Sequence, residues 1–565
     1  MHLNIDFTAS QIYTMSSTKL TIGVYGIQDI NDSGIPTISH DHGIAIYKDG
    51  KIIYSIQLER FDRKKHSANM GAYIYKLLKS KKLLNQPCNY IFVDNILGRS
   101  FINKQGNIRF EAPLNNNLAT NIEEGKLWLL DKLTAAYALN HELAHIGSCL
   151  PFFGEFKNNS LLVHFDGGAS LSNFSAWTFN NGQITSVEYN WDLKWLSSLY
   201  NANALVFSIV QAKQHELNSV PGKFMGFASL GKYSKDIAEW LKKNNFFENC
   251  WKSKKDFFDS AKNHFGVEIQ HLDQKNYFIQ NVATTIQTIF IDEVLNKFKT
   301  LQKNTKSDYL YYSGGSALNI LLNTEIIKTN IFKDVFIPPC CNDSGLAIGA
   351  AAFFEWQINK NITVHNAFLN NWNIEEYNAN YDKNTIAETA KLLLEEKVIG
   401  VCNNMGEVGP RALGNRSIIS LASDIRLSQK VSMIHKQREW YRPVAPIMLE
   451  KNTKYFTGIK NVHHLSKYML LEFDILSDKK QELIGCVHTD GTSRIQTIFE
   501  KNDNPFMYDL LQYLDFKYKV KALINTSFNS RGEPIVHNIE DALKSAENMK
   551  LDAVILNGSL KLLNS

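Results

Sequence analysis

Two distant stretches of this chain repeat one pattern, and that repetition restricts the fold more than any other feature of the sequence. From Leu20 the text runs LTIGVYGI, then a polar loop ending in His40-Asp41-His42, then GIAIYKDGKIIYSIQLE. Much later SLLVHFDGGAS leads into SAWTFNNGQITSVEY. Asp49-Gly50 and Asn181-Gly182 each separate two β-rich runs, a strong hairpin signal because both residues of such a turn need positive φ. Two copies of strand, loop and hairpin, separated by helical sequence, predict a duplicated α/β domain. A third glycine loop comes in YLYYSGGSALNILLNTEI, where an aromatic strand meets Ser313-Gly314-Gly315 and then a helix.

This order, two hairpin loops and then strand-GG-helix, resembles the actin, Hsp70 and sugar-kinase (ASKHA) class of ATP-binding folds and predicts a nucleotide cleft. Between Asn359 and Lys383 the chain becomes rich in Asn and loses periodicity, which marks a linker. A second α/β domain opens with the helical run TIAETAKLLLEEK and the strand VIGVC, and ends near LDAVILNG. The expected division is therefore residues 18–365 and residues 366–565.

Composition excludes several classes of function. Hydrophobic residues are 44% and charged residues 21%, as in ordinary globular proteins. Lys+Arg 61 against Asp+Glu 56 leaves only +5 over the chain. That is far from the concentrated basic footprint of a phosphate-held nucleic-acid binder, so nucleic acid is not expected as a partner. Seven cysteines without a CxxC pair predict a reducing compartment. Met1 to Ser17 lack a basic start followed by an apolar block, and no run reaches 18 apolar residues, so the expectation is a cytoplasmic protein without a membrane partner.

The sharpest local motif is HELAH, in a run LTAAYALNHELAHIG that reads as helix. At i and i+4, His141 and His145 share a face, which suits two imidazoles on one metal. Taken literally this is the HExxH pattern of zinc peptidases, with Glu142 as general base. A peptidase would place its third ligand on a second helix, whereas the next element here is an apolar strand ending in Asp166, Gly167 and Gly168, and Asp343 stands ahead of a small-residue helix. Two histidines and two aspartates with open positions suit iron, zinc or manganese better than a peptidase zinc. In the first loop, His40 has the chemistry of a general base. ERFDRKKH, with Arg60, Arg63, Lys64, Lys65 and His66, is either a solvated basic turn or a cleft wall facing an anion.

No arginine occurs between Arg109 and Arg411, after which Arg411, Arg416, Arg426, Arg438, Arg442, Arg494 and Arg531 appear. Planar guanidinium forks among Gly, Pro and Ser suit phosphate or carboxylate better than Lys does. With Lys436, and with Thr526, Ser527 and Asn529 after KALIN, they describe a polyanion pocket for a phosphorylated metabolite or ATP.

The motifs together resemble one family, the NodU/CmcH O-carbamoyltransferases, which modify nodulation factors, cephalosporins and aminoglycosides. The matching text is SHDHGIAIYKDGKI, ERFDRKKH, HELAH, HFDGGAS, PGKFMGFASLGKY, SGGSALN, NDSGLAIGAA, EVGPRALGNRS, KQREWYRPVAP, DGTSRIQT and NTSFNSRGEPIV, in family order from about Leu20 to Gly558. The resemblance implies an N-terminal domain similar to the tRNA threonylcarbamoyl-adenosine transferase and a YrdC-like C-terminal domain. It further implies that carbamoyl phosphate and ATP, with Mg²⁺, form carbamoyl adenylate in the second domain. A substrate hydroxyl on a small molecule or glycan would then attack the carbamoyl carbonyl in the first. Carried over, His141, His145, Asp166 and Asp343 hold the divalent metal and His40 is the base. Gly167, Gly168, Gly314, Gly315 and Asn319 cradle the adenylate, and Lys65 lies near the acceptor. Arg411, Arg416, Lys436, Arg442, Arg494, Ser527 and Asn529 grip carbamoyl phosphate and ATP. The likeness also allows a homodimer. Two positions depart from the pattern: Glu142 replaces the second His of HHxxH, and Asn404-Met405 stand where the family often has Gly-Arg. The competing readings are a threonylcarbamoyl-type tRNA transferase, an HExxH metallopeptidase and a scaffold without turnover.

Overall fold

The computed structural model describes residues 19–26, 39–95, 98–112, 121–191, 204–246, 254–269, 271–374 and 380–563. Thr18, where the first domain was expected to begin, and most of the loop ahead of His40 lie outside these residues.

The predicted duplication is present as two sheets. The first holds β1 (Leu20–Tyr25), β2 (Gly43–Lys48), β3 (Lys51–Gln57), β4 (Cys88–Val93), β5 (Phe101–Ile102), β6 (Ile108–Glu111), β7 (Glu123–Leu129) and β8 (Lys132–Leu139), in the order β3-β2-β1-β4-β8-β7-β6-β5. The second holds β9 (Ser160–Phe165), β10 (Phe174–Asn180), β11 (Gln183–Asn190), β12 (Tyr309–Ser313) and β13 (Asp334–Phe336), in the order β11-β10-β9-β12-β13. In each, a hairpin lies antiparallel to the opening strand, and two later strands continue parallel beside it. The first copy carries β5–β7 as an insertion. This shared order makes the N-terminal region ASKHA-like. Both hairpins close as their turn residues require: φ is 51° and 74° at Asp49 and Gly50, and 50° and 80° at Asn181 and Gly182. The central strands β4 and β9 are buried at every position, as expected where both faces of a sheet are covered.

Two helices, His141–Gly147 and Leu346–Phe354, are packed between the sheets, and every residue of both is buried. Their close crossing depends on glycine. A Cβ at Gly349 would stand 1.9 Å from the Ala144 carbonyl oxygen, and one at Gly147 would stand 2.3 Å from that of Gly349. The run LTAAYALNHELAHIG is not one helix: its first half is β8, paired with β4 and β7, and the helix begins at His141. Asn140 makes the break, its side chain accepting from the Leu143 amide at 2.7 Å as an N-cap.

The C-terminal region is a second mixed α/β unit. Its strands are β14 (Phe368–Asn370), β15 (Ile399–Cys402), β16 (Gly406–Glu407), β17 (Arg416–Leu421), β18 (Ala445–Leu449), β19 (Phe473–Asp474), β20 (Thr492–Ser493), β21 (Gln496–Ile498), β22 (Ala522–Ser527), β23 (Ala553–Leu556) and β24 (Ser559–Leu562). Seven of them form a sheet in the order β21-β18-β22-β17-β15-β23-β24. Helices Lys383–Leu394 and Pro505–Tyr518 close a separate apolar core over it.

The Asn-rich joint is a fastening. Asn370 and Asn371 side chains accept from the Gln57 and Ser55 amides of β3, and β14 pairs with β16. The segment after β3 adds to it: Arg63 donates to the Ile535 and Pro534 carbonyls at 2.7 and 3.0 Å, and buried Arg60 donates to that of Gly409 at 3.3 Å. Arg63 also stands 3.5 Å from the Asp541 carboxylate, so the two arginines clamp one unit to the other. Among the described residues no helix is long and apolar enough to cross a membrane.

Candidate functional site

The first site is built where the two central helices meet the ends of β1, β9 and β12. His141 and His145 occupy one helix face, and their Nε2 atoms approach to 3.1 Å. Two imidazole nitrogens this close share at most a proton, or a cation. Asp343, entering the second helix, brings Oδ1 to 3.5 Å from His141 Nε2 and 3.4 Å from His145 Nε2. Asp166, at the end of β9, reaches His145 Nε2 at 3.4 Å. The donor atoms of His141, His145 and Asp343 all lie within 4.8 Å of one another, while Asp166 joins through His145. Nitrogen and oxygen donors in this mixture fit iron, zinc or manganese.

The surrounding groups hold these side chains in place. Asp166 accepts from the Gly167 and Gly315 amides at 2.5 and 2.6 Å, so the glycine loops orient the carboxylate. Gly314 has φ of 109°, and a Cβ there would lie 2.2 Å from the Phe165 carbonyl oxygen, so only glycine fits. Gly168 has open space beside it, with only the Trp191 ring edge at 3.7 Å. Asn319 caps the helix Ile320–Lys328 by accepting from the Leu322 amide. Tyr25, at the end of β1, donates its hydroxyl to Asp343 Oδ2 at 3.1 Å. Asp94 accepts from the His141 amide at 3.2 Å and fixes the start of that helix.

His40 lies on the open side. Its Nδ1 is 3.1 Å from Asp41 Oδ2 and 3.9 Å from Asp343 Oδ2. Burial pulls its pKa down, but Asp343, Asp41 and Asp166 outweigh it and bring the imidazole up to about 10. A divalent cation on the aspartates would reverse that field and return His40 toward a neutral base. His42 has a different role. It is fully buried, its Nδ1 accepts from the Met70 amide and its Nε2 meets Ser39 Oγ at 2.6 Å, and burial lowers it to about 3.

Glu142 is drawn away from this chemistry. Its Oε1 accepts from the Leu171 and Ser172 amides at 2.7 and 3.0 Å, bracing the loop after Asp166. The peptidase reading needs that carboxylate as a base, and here it is a buried loop anchor.

The second site lies in the C-terminal unit against the helix Val220–Ala228. Arg411, Arg438, Arg442 and Arg494, with Gly222, Met225 and Gly226, line a cavity of about 100 Å³. Burial, reinforced by neighbouring cations, lowers the pKa of three of these guanidinium groups. Arg411 falls to about 10, and Arg438 and Arg494 are lowered strongly. Such a cluster is stabilised by a bound polyanion. Lys436 packs behind it, donating to the Asn529 carbonyl at 2.8 Å, Asn529 Oδ1 at 2.9 Å and Ser527 Oγ at 3.2 Å, while Arg438 reaches the same hydroxyl at 3.3 Å. Lys65, from the N-terminal unit, is exposed at its surface, and desolvation, with Arg442 and Arg438 acting against Glu59, depresses its pKa. Its neighbour His66 turns to the first site, with Nδ1 3.0 Å from Asp41 Oδ1.

Arg416 does not join them. It is 1% exposed, and all five of its N–H groups are engaged by the carbonyls of Asn403, Asn404, Asn415 and His537. The expectation that it grips carbamoyl phosphate or ATP is corrected: it cross-braces the GPRALGNRS loop. Arg416→Ala is expected to cost about 3–5 kcal/mol, since several buried carbonyls lose their donor together. A denaturant melt checks this, and a drop below about 1 kcal/mol would contradict the bracing role.

Two residues beside the first site were not among the sequence-based candidates: Tyr25 and His164. His164 was visible as the residue two before Asp166, on the same strand face. Tyr25 gave no local signal.

Residues 32–352 match the carbamoyltransferase N-terminus and residues 390–561 the carbamoyltransferase C-terminus. An uncharacterised protein of Synechocystis sp. is 28% identical, covering 93% of this chain and 95% of its own length. Nodulation protein NolO of Bradyrhizobium diazoefficiens is 27% identical over 49% of this chain and 53% of its own. Nodulation protein U of Azorhizobium caulinodans is 29% identical over 46% of each. Among solved structures, the activator of the 2-hydroxyisocaproyl-CoA dehydratase from Clostridium difficile aligns over 60% of this chain and 96% of its own at 13% identity, with a TM-score of 0.32. With both halves matched in order across most of its length, the chain belongs to the carbamoyltransferase family.

Proposed function

We propose that this enzyme is an ATP-dependent O-carbamoyltransferase with two sites: a YrdC-like C-terminal domain that forms carbamoyl adenylate, and an N-terminal centre that passes the carbamoyl group to a hydroxyl of a small-molecule or glycan acceptor. The observation that carries it is the pairing, in one chain, of an arginine-lined cavity with a buried His/Asp centre.

In the first step, water releases phosphate from carbamoyl phosphate, and the resulting carbamate oxygen attacks the α-phosphorus of Mg²⁺-bound ATP, expelling pyrophosphate. Arg411, Arg438, Arg442 and Arg494 hold the phosphate charge through this displacement, where fixed cations in a dry pocket act most strongly. Lys436, Ser527 and Asn529 brace the loop beside them. In the second step, the acceptor oxygen bonds to the carbamoyl carbon and AMP leaves. His40 takes the hydroxyl proton, help worth about 10²- to 10⁴-fold. Gly167, Gly168 and the Gly314-Gly315 loop leave backbone room for the adenylate. Iron, zinc or manganese bound by His141, His145, Asp166 and Asp343 would supply Lewis-acid polarisation.

The test needs no acceptor. The metal-loaded protein is incubated with ATP, carbamoyl phosphate and Mg²⁺, and pyrophosphate and an AMP-linked carbamoyl species are sought by mass spectrometry. Both are expected only when carbamoyl phosphate is present; a folded protein yielding neither overturns the two-step reading.

A further inference from the structure

Two donor triads overlap at His145. One is His141, His145 and Asp343; the other is His145, His164 and Asp166, and within each the donor atoms lie within 4.8 Å of one another. The four-ligand centre accounts for every member except His164. This residue sits on β9 two positions before Asp166, and alternate residues of a strand project from the same face. It is fully buried, and neither ring nitrogen has a hydrogen-bond partner. Its ring lies over that of His145, with centroids 5.1 Å apart and planes inclined by 27°, and 6.3 Å from that of His141. A neutral imidazole carries one N–H and one lone pair, and buried polar groups in folded proteins are nearly always paired. Three buried imidazoles and two carboxylates, gathered with no hydrogen-bond donor for the third ring, form the donor set of a cation site.

From this geometry we propose that His164 is a fifth protein ligand to the divalent cation. The inference rests on the metal-centre reading given under the proposed function and deepens it. With His141, His145, His164, Asp166 and Asp343 as donors, a six-coordinate ion retains one open position, so one substrate oxygen can reach it and a chelating pair cannot. A third imidazole also moves the preference from manganese toward iron or zinc, because imidazole suits those ions and carboxylate-rich sets suit manganese.

The test uses the full chain, stripped of metal and titrated with Co²⁺, whose visible spectrum reports coordination number. Wild type is compared with His164→Phe, which keeps the buried ring volume, and His164→Gln, which keeps a polar atom. One ion per chain is expected. His164→Phe is expected to weaken Co²⁺ affinity by about tenfold or more in chelator competition. Its spectrum should shift toward the stronger bands of lower coordination, while metal-free melting temperature holds or rises. The Gln variant should show the same loss if the Phe variant does not fold. Equal affinity and an unchanged spectrum in a folded variant would overturn the assignment of His164 alone. A wild-type chain that takes up no cobalt would overturn the centre as well, and two ions per chain would replace one shared centre with two.

Discussion

Asp343→Ala is expected to reduce carbamoyl transfer to an acceptor hydroxyl by about a thousandfold or more while sparing acceptor-independent pyrophosphate release. Asp343 is the hub of the N-terminal site: it takes the Tyr25 hydroxyl on one oxygen and faces both His141 and His145 with the other. Burial alone would raise its pKa, but His141 and His40 overcome that and hold it well below the ordinary carboxylate range. Alanine removes both a donor and the charge that keeps the imidazoles in register. Asp343 is not among the residues that line the C-terminal cavity, so its chemistry should continue. The two activities are measured separately on one preparation, by acceptor product and by pyrophosphate. Loss of pyrophosphate release in a folded Asp343→Ala protein would contradict the division of labour between the units.

Arg494→Ala should do the reverse. Each charge-assisted hydrogen bond to phosphate contributes about 1.5–3 kcal/mol, so loss of one guanidinium fork is expected to lower carbamoyl-phosphate-dependent pyrophosphate release by about a hundredfold. Its stability effect has the opposite sign to its activity effect. Burial and then Arg411, Arg438 and Arg442 lower the Arg494 pKa, which means that the folded, ligand-free protein disfavours this charge. Removing it should leave the melting temperature of the unliganded protein unchanged or higher, whereas Arg416→Ala should lower it. Arg494→Ala with normal pyrophosphate release would remove Arg494 from the pocket.

Much of the fold could be read from local rules. Asp49-Gly50 and Asn181-Gly182 demand positive φ, which only a tight turn supplies, so both hairpins and the duplication were legible. Ser313-Gly314-Gly315 was legible for the same reason, since a Cβ at Gly314 has no space. The run before HELAH misled because Leu, Ala and Tyr suit strand and helix alike; pairing with β4 and β7 decided it.

The candidate site divides along a similar line. His141 and His145 are four residues apart on one short helix, so their meeting is a local consequence of helical geometry. That Asp343 meets them depends on a helix crossing made possible by Gly147 and Gly349, a contact between distant segments that no spacing encodes. Arg416 and Arg494 look alike in sequence, each an arginine beside small polar residues. Their roles separate only because carbonyls of the closing loop surround the first and other cations surround the second. The sequence by itself determined the turns, the duplicated strand order and the residue types available for metal and phosphate, because these depend on φ preferences, periodicity and side-chain chemistry. The tertiary structure decided which of those residues face one another, because burial, hydrogen-bond satisfaction and charge crowding arise only when distant segments pack.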